Sequence, residues 1–189
     1  HIYYYSVTSL QNLLKQFNLS IIEVEKIPIH SGSIRVTAHK NPNTSKSVQD
    51  IIEAEKSTIC NTHYLNTFQE NVTNHISDIK KEIQGAQEMG LRIAGYGASG
   101  RANMACNILN LDSDTIDFIV DESPERCGRY IANTKIPIMD MDTLKNSDIE
   151  LLIIFAWNYA ETIMNKTKFK DYTYMVAFPT VQYLRHKDQ

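Results

Sequence analysis

The feature that most limits what this chain can fold into is the run Gly95-Tyr96-Gly97-Ala98-Ser99-Gly100. It follows the apolar stretch Leu91 to Ala94 and opens a helical stretch, Arg101 to Leu109. Three glycines in G-x-G-x-x-G spacing, set between a strand and a helix, permit a tight turn and leave no Cβ between backbone and ligand. The free N–H groups and the dipole at the helix start then favour a diphosphate. Ser99 and Arg101 add a hydroxyl and a cation to the same turn.

The stretches that follow supply the context such a loop needs. Ile116 to Val120 reads as a second strand, and it ends on Asp121 and Glu122. An acid at that point can hold a sugar hydroxyl, either the adenosine ribose of NAD or the sugar of another nucleotide, and it disfavours the 2′-phosphate of NADP. A short strand near Ile136-Pro137-Ile138, a helix over Met141 to Asn146 and a near-continuous apolar strand from Leu151 to Ala156 come next. A helix over Tyr159 to Phe169 and a strand over Tyr174 to Phe178 complete the series. An unbroken apolar strand is expected where both sheet faces are covered. The alternation predicts an α/β fold, a Rossmann-like doubly wound parallel sheet. Ligands in such sheets bind beyond the carboxyl ends of the strands. Trp157 and Asn158 therefore join the candidates, the tryptophan for stacking on a base or sugar. Arg129 and Tyr130, in the loop after the second strand, join them too, the arginine for phosphate.

Before residue 89 the pattern is different. Ser6 or Thr8 can cap a helix carrying Leu10, Leu13, Leu14 and Phe17, with Asn18 as its stop. Ile22 and Val24 then alternate with Glu23 and Glu25. Beyond a turn at His30-Ser31-Gly32, Ile34, Val36 and Ala38 alternate with Ser33, Arg35 and Thr37. This predicts an antiparallel strand pair, which with one helix cannot bury its apolar faces alone and so reads as the edge of a larger sheet. Asn41 to Ser47 is polar and reads as a linker. The segment after it is helical, with apolar steps of three and four from Leu65 to Ile83 and with Gly85 and Gly90 as its end. The division expected is 1–40, 41–88 and 89–185. Residue 1 is His and opens directly on Ile2-Tyr3-Tyr4-Tyr5, so the chain reads as part of something longer.

Five pieces in this order resemble the C-terminal part of SAM-dependent sugar C-methyltransferases. They are His1 with its tyrosines, Ile29 to Arg35, the glycine loop with Arg101, Val120-Asp121-Glu122-Ser123-Pro124 with Gly128-Arg129-Tyr130, and Ala156-Trp157-Asn158. The resemblance implies an enzyme that methylates a carbon of a keto-deoxysugar carried on a nucleoside diphosphate of the dTDP type. It implies a zinc module and a SAM-binding domain ahead of a Rossmann-like domain that holds the sugar nucleotide. On that reading residues 1–40 are the last strands of the SAM domain, most of the S-adenosyl-L-methionine site and any zinc lie outside this chain, and the chain alone is not expected to methylate. His1 matches the end of the family's Tyr-x-Glu-His segment. His30, Gly32, Ser33 and Arg35 match a His-Gly-Gly-Ser-x-Arg motif in which Ser31 stands for the first glycine. Methylation at carbon needs an enolate, and histidine titrates in the range suited to removing the proton. His1 and His30 are therefore the expected catalytic residues, and Ser33, Arg35, the loop residues, Asp121, Glu122, Arg129, Tyr130, Trp157 and Asn158 the expected substrate-binding ones.

Composition sets limits on the alternatives. A net charge of -3 gives no basic patch for nucleic acid or anionic membrane. Three widely spaced cysteines suggest free thiols in a reducing, cytoplasmic setting and no metal site. An NAD-dependent oxidoreductase would use the same loop, but no Tyr-x-x-x-Lys pair appears among the later helices. A non-catalytic nucleotide-binding module would need a complete N-terminal region. The open edge of the strand pair leads to the expectation of a homodimer.

Overall fold

The computed structural model describes residues 2–28, 32–40 and 44–185. It divides into two compact units, His1–Val72 and Thr73–Gln189.

In the first unit, α1 (Val7–Lys15) starts from a capping box in which the Ser6 side chain accepts from the Ser9 N–H and Ser9 returns a bond to the Ser6 N–H. Asn18, at φ 54°, turns the chain out of the helix. Phe17 falls beyond the helix end and is exposed, so the apolar stripe expected to include it stops at Leu14. β1 (Ser20–Ile27) and β2 (Ser33–His39) pair antiparallel with Val24 opposite Val36, as the alternation predicted. α2 is Lys46–Ser57, so the expected linker loses its last two residues to a helix. Val7, Ile21, Val24 and Val48 form the small core of this unit.

α3 (Thr62–Glu88) runs straight through Gly85. The helix was expected to end there, but a glycine in a helix interior costs only about 1 kcal/mol, and the buried Ile79, Ile83 and Ala86 hold it in place. Gly90, at φ +79°, makes the turn that follows.

The second unit contains β3 (Ile93–Tyr96), α4 (Gly100–Leu109), β4 (Ile119–Val120), β5 (Ile138–Met139) and α5 (Met141–Lys145). These are followed by β6 (Leu151–Ile154), α6 (Ala160–Lys166), β7 (Thr173–Val176) and β8 (Gln182–Leu184). The sheet order is β5-β4-β3-β6-β7-β8. All neighbours are parallel except β7 and β8, which are antiparallel. Side chains alternate between faces. Ile93, Leu151 and Ile153 pack toward α3 and α4, while Ala94, Tyr96, Leu152 and Ile154 pack toward α5 and α6. Helices thus cover both faces of a mostly parallel sheet, and the fold is the doubly wound α/β class. The order reverses between β3 and β6, the position beyond whose strand ends ligands of such sheets bind.

Candidate functional site at the strand ends

The glycine loop leaves β3 at that reversal. Gly95 faces α4, and a Cβ there would stand 2.6 Å from a Phe155 ring carbon and 2.8 Å from Ile119 Cγ1. Gly97 has φ +92°, and its Cβ would meet Ala156 Cβ at 3.0 Å. These two glycines are therefore required by the turn and by the approach of β6. Gly100 is different, since a Cβ there would meet nothing within 4 Å.

Beyond the loop, α4 begins with an unused set of donors. The N–H groups of Gly100, Arg101 and Ala102 have no acceptor among the described residues; Asn103 is the first N–H to be taken, by the Ser99 carbonyl at 3.1 Å. Ser99 is the N-cap, yet its side chain makes no capping bond, and its Oγ is buried with no partner among the described residues. Leaving a buried hydroxyl unpaired costs about 1–3 kcal/mol. The Arg101 guanidinium has no carboxylate partner among the described residues. It lies over the Trp157 ring, 4.8 Å from the centroid. Trp157 sits in a short 3-10 turn directly after β6 and is backed by Phe178 at 5.5 Å. His75 meets Phe178 edge-on at 5.6 Å and hydrogen-bonds the Ala177 carbonyl at 2.9 Å. Donors, cation and aromatic surface therefore meet where β3 and β6 end. The arrangement suits an anion with several oxygens.

The acids at the end of β4 are occupied within the protein. Asp121 is 7% exposed. Its Oδ2 accepts from the Ala98 N–H at 2.8 Å and from Arg126 at 3.0 Å, and its Oδ1 accepts from the Ser123 N–H at 2.9 Å. Glu122 accepts from the Tyr96 hydroxyl at 2.6 Å and from Lys166 at 2.7 and 2.8 Å. Lys166, and after it Tyr96, hold the Glu122 carboxyl below its ordinary range against a smaller opposing effect of burial. Burial first, and then the same carboxylate, push the Tyr96 hydroxyl well above the usual tyrosine range. The Tyr96 ring lies in the core of the α5 and α6 face, away from the open N–H groups. A ribose diol at the end of β4 would share Asp121 with three donors of the protein's own loop.

The other expected site residues are distributed elsewhere. Arg129 gives its carbonyl to the Ile138 N–H, and Tyr130 bridges Pro137 and is exposed. Among the described residues, no hydrogen bond or ring contact joins either side chain to the loop. Asn158 is exposed in the turn after Trp157. In the first unit, Arg35 pairs with Glu25 across the strands at 2.8 Å, on the surface. Ser33 lines a cleft of about 970 Å³ with Tyr3, Tyr4, Tyr5, Lys26 and Glu55. His1 and His30 lie outside the described residues.

The three tyrosines enter the sequence pattern only through the resemblance, and Lys26 and Glu55, which line the same cleft, carry no sequence signal. The available signal was a run of three large aromatics that are 49–85% exposed. Arg126 and Lys166 were also missed, and only the positions of their acids could have pointed to them. Among the described residues, no group of three or more His, Cys, Asp or Glu is placed to hold a metal ion, and no helix is long and apolar enough to cross a membrane.

A family model described as the C-methyltransferase C-terminal domain matches residues 28–179. The chain is 24% identical over 172 residues to the C-methyltransferase NovU of Streptomyces niveus, an alignment covering 89% of this chain and 41% of NovU. The chain thus spans less than half the length of that relative.

Proposed function

Because the chain belongs to the C-methyltransferase C-terminal domain family, we propose that it is the sugar-nucleotide-holding part of a SAM-dependent C-methyltransferase. The substrate on this reading is a keto-deoxysugar on a nucleoside diphosphate of the dTDP type, and residues 89–185 bind its diphosphate. The observation that carries the reading is the start of α4, with three open N–H groups, the unpartnered Ser99 hydroxyl and the unpaired Arg101. A diphosphate matches this set in charge and in acceptor number.

S-Adenosyl-L-methionine would supply the methyl group. It is assigned to residues outside this chain, in keeping with the closed carboxylate of Asp121. Proton removal beside the ketone is assigned to His1 or His30. Support for the first unit having a substrate-facing role comes from the cleft that Tyr3, Tyr4, Tyr5 and Ser33 line. NovU is named as a C-methyltransferase, which agrees with the class of reaction.

The test is calorimetry of the 189-residue chain with dTDP, NAD and S-adenosyl-L-methionine side by side. Binding of dTDP that Gly97→Asp abolishes, with no heat from the other two, is the expected result. NAD binding with no response to dTDP would overturn it and make a redox role primary.

A further inference from the structure

The tryptophan after β6 invites a reading as a stacking platform for a nucleobase, but the structure has already placed a cation on it. Arg101 is the second residue of α4, and its guanidinium centre stands 4.8 Å from the Trp157 ring centroid. We propose that Trp157 is a positioning residue: it holds the Arg101 guanidinium beside the open N–H groups of α4, so that arginine and helix start grip one anion together. This rests on the diphosphate reading above and assigns the positioning of the gripping arginine, which follows β3, to a side chain that follows β6.

Several observations converge on it. Arginine side chains near carboxylates pair with them, as Arg35, Arg92 and Arg126 all do here. Arg101 does not, so its N–H fork is uncommitted while the flat face of the group is held by the ring. The ring is fixed in turn by Phe178, and Phe178 by His75. The Trp157 turn also cannot drift from the glycine loop, because Gly97 approaches Ala156 so closely that an added Cβ would stand 3.0 Å from the Ala156 side chain. On the opposite side of the loop, Arg126 pairs with Asp121 and so reduces the repulsion that this carboxylate would exert on an incoming anion. The buried Ser99 Oγ, with no partner among the described residues, lies at the junction of the same elements. The loop is thus tied to the end of β4 through Asp121, while the N–H groups at the start of α4 have no acceptor among the described residues.

Pyrophosphate, which has no base, separates positioning from base stacking, with thymidine as the phosphate-free arm and dTDP as the whole. The parent chain is measured first by calorimetry with pyrophosphate. Heat of binding is expected, and its absence would overturn the diphosphate reading and this inference with it.

If the parent binds, Trp157→Leu is expected to weaken pyrophosphate and dTDP equally, by about tenfold or more. Trp157→Phe, which keeps a ring face, is expected to recover most of that loss. Arg101→Leu is expected to match Trp157→Leu, and the double variant to be no weaker than either, since both remove one device. Far-UV circular dichroism shows that each variant folds. Trp157 is the chain's one tryptophan, so its emission is expected to change on pyrophosphate addition in the parent and not in Arg101→Leu. Parent-like pyrophosphate binding by Trp157→Leu, together with lost affinity for thymidine or dTDP, would overturn the inference alone and make Trp157 a base platform.

Discussion

Replacing Asp121 by Asn tests whether this carboxylate is part of the loop's own framework. The side chain receives three donors, the Ala98 and Ser123 N–H groups and the Arg126 guanidinium, at 2.8, 2.9 and 3.0 Å. An amide keeps one accepting oxygen and turns the other into a donor. The less costly orientation leaves oxygen toward Ala98 and Arg126 and sets NH₂ against the Ser123 N–H. Losing that bond in a nearly buried site costs about 1–3 kcal/mol. Losing the charge opposite Arg126, whose side chain is half exposed, adds about 0.5–1 kcal/mol. The sum is about 3 kcal/mol, and at about 4 °C per kcal/mol for a unit of this size it lowers the midpoint by about 12 °C. Trp157 lies in the Thr73–Gln189 unit, so tryptophan emission during a thermal ramp follows that unit without signal from the other. A midpoint within about 3 °C of the parent, corresponding to under about 1 kcal/mol, would refute the reasoning and show that Asp121 is free to serve a ligand.

The glycines divide by what surrounds them. Gly95→Ala drives a Cβ into Phe155 and Ile119 and is expected to cost about 1–3 kcal/mol, measured by the same ramp. Gly100→Ala meets open space at the first turn of α4 and is expected to leave the fold as stable as the parent or up to about 0.5 kcal/mol more so; a loss of ten degrees would refute that. In the first unit, Glu55 accepts the Val7 and Thr8 N–H groups at 2.8 and 2.7 Å and so caps α1 with a carboxylate. Burial pushes its carboxyl up, but the bonds from Thr8 and Val7 outweigh it and the net value lies below the ordinary one. The charged form is therefore favoured on folding. Its contribution is present above the unfolded carboxyl range and is lost as pH falls through the lowered folded value. Glu55→Gln is expected to lower first-unit stability near neutrality by about 1 kcal/mol and to remove part of its acid sensitivity. Hydrogen exchange at Val7 and Thr8 across pH would show it, and a variant as acid-sensitive as the parent would count against the cap. Lys166→Met removes the cation that pairs with Glu122 and lowers its carboxyl. It should shift the tyrosine absorbance titration of the unit without changing pyrophosphate affinity, and a loss of affinity would link the cluster to the ligand.

Much of the second unit was legible because its central strands β3 and β6 are runs that only a two-sided burial explains. Leu151 to Ile154 and Ile93 to Tyr96 are buried along their whole length. The boundaries were less legible. β3 begins at Ile93, two residues later than the apolar run, although the Arg92 carbonyl already accepts from the Leu151 N–H of β6. Of the stretch Ile116 to Val120, only the last two residues form the ladder with β5, although Asp117 and Phe118 already bond to β3. β8, three residues at the edge, pairs antiparallel with β7 and carries too short an alternation to be read in advance.

The candidate site residues were harder to read for a physical reason that Asp121 and Trp157 share. A carboxylate at the end of a strand has the same sequence signature whether it awaits a sugar hydroxyl or already accepts from its own loop. What decides is Arg126, five positions on and brought back by the turn after β4. A tryptophan after a strand likewise reads as a ligand surface until Arg101, from another strand end, is found lying on it. In both cases the partner is brought in by the fold. The consequence for the glycine motif is that its two halves have separate duties. Gly95, Gly97 and the Ala98 N–H serve the turn itself, one through Asp121 and two through close packing with Ile119, Phe155 and Ala156. The three N–H groups that follow Ser99 have no acceptor among the described residues. A dinucleotide needs both halves, its diphosphate on the helix and its ribose on the acid. A nucleoside diphosphate gripped by its diphosphate alone needs only the second, the half whose N–H groups have no acceptor among the described residues.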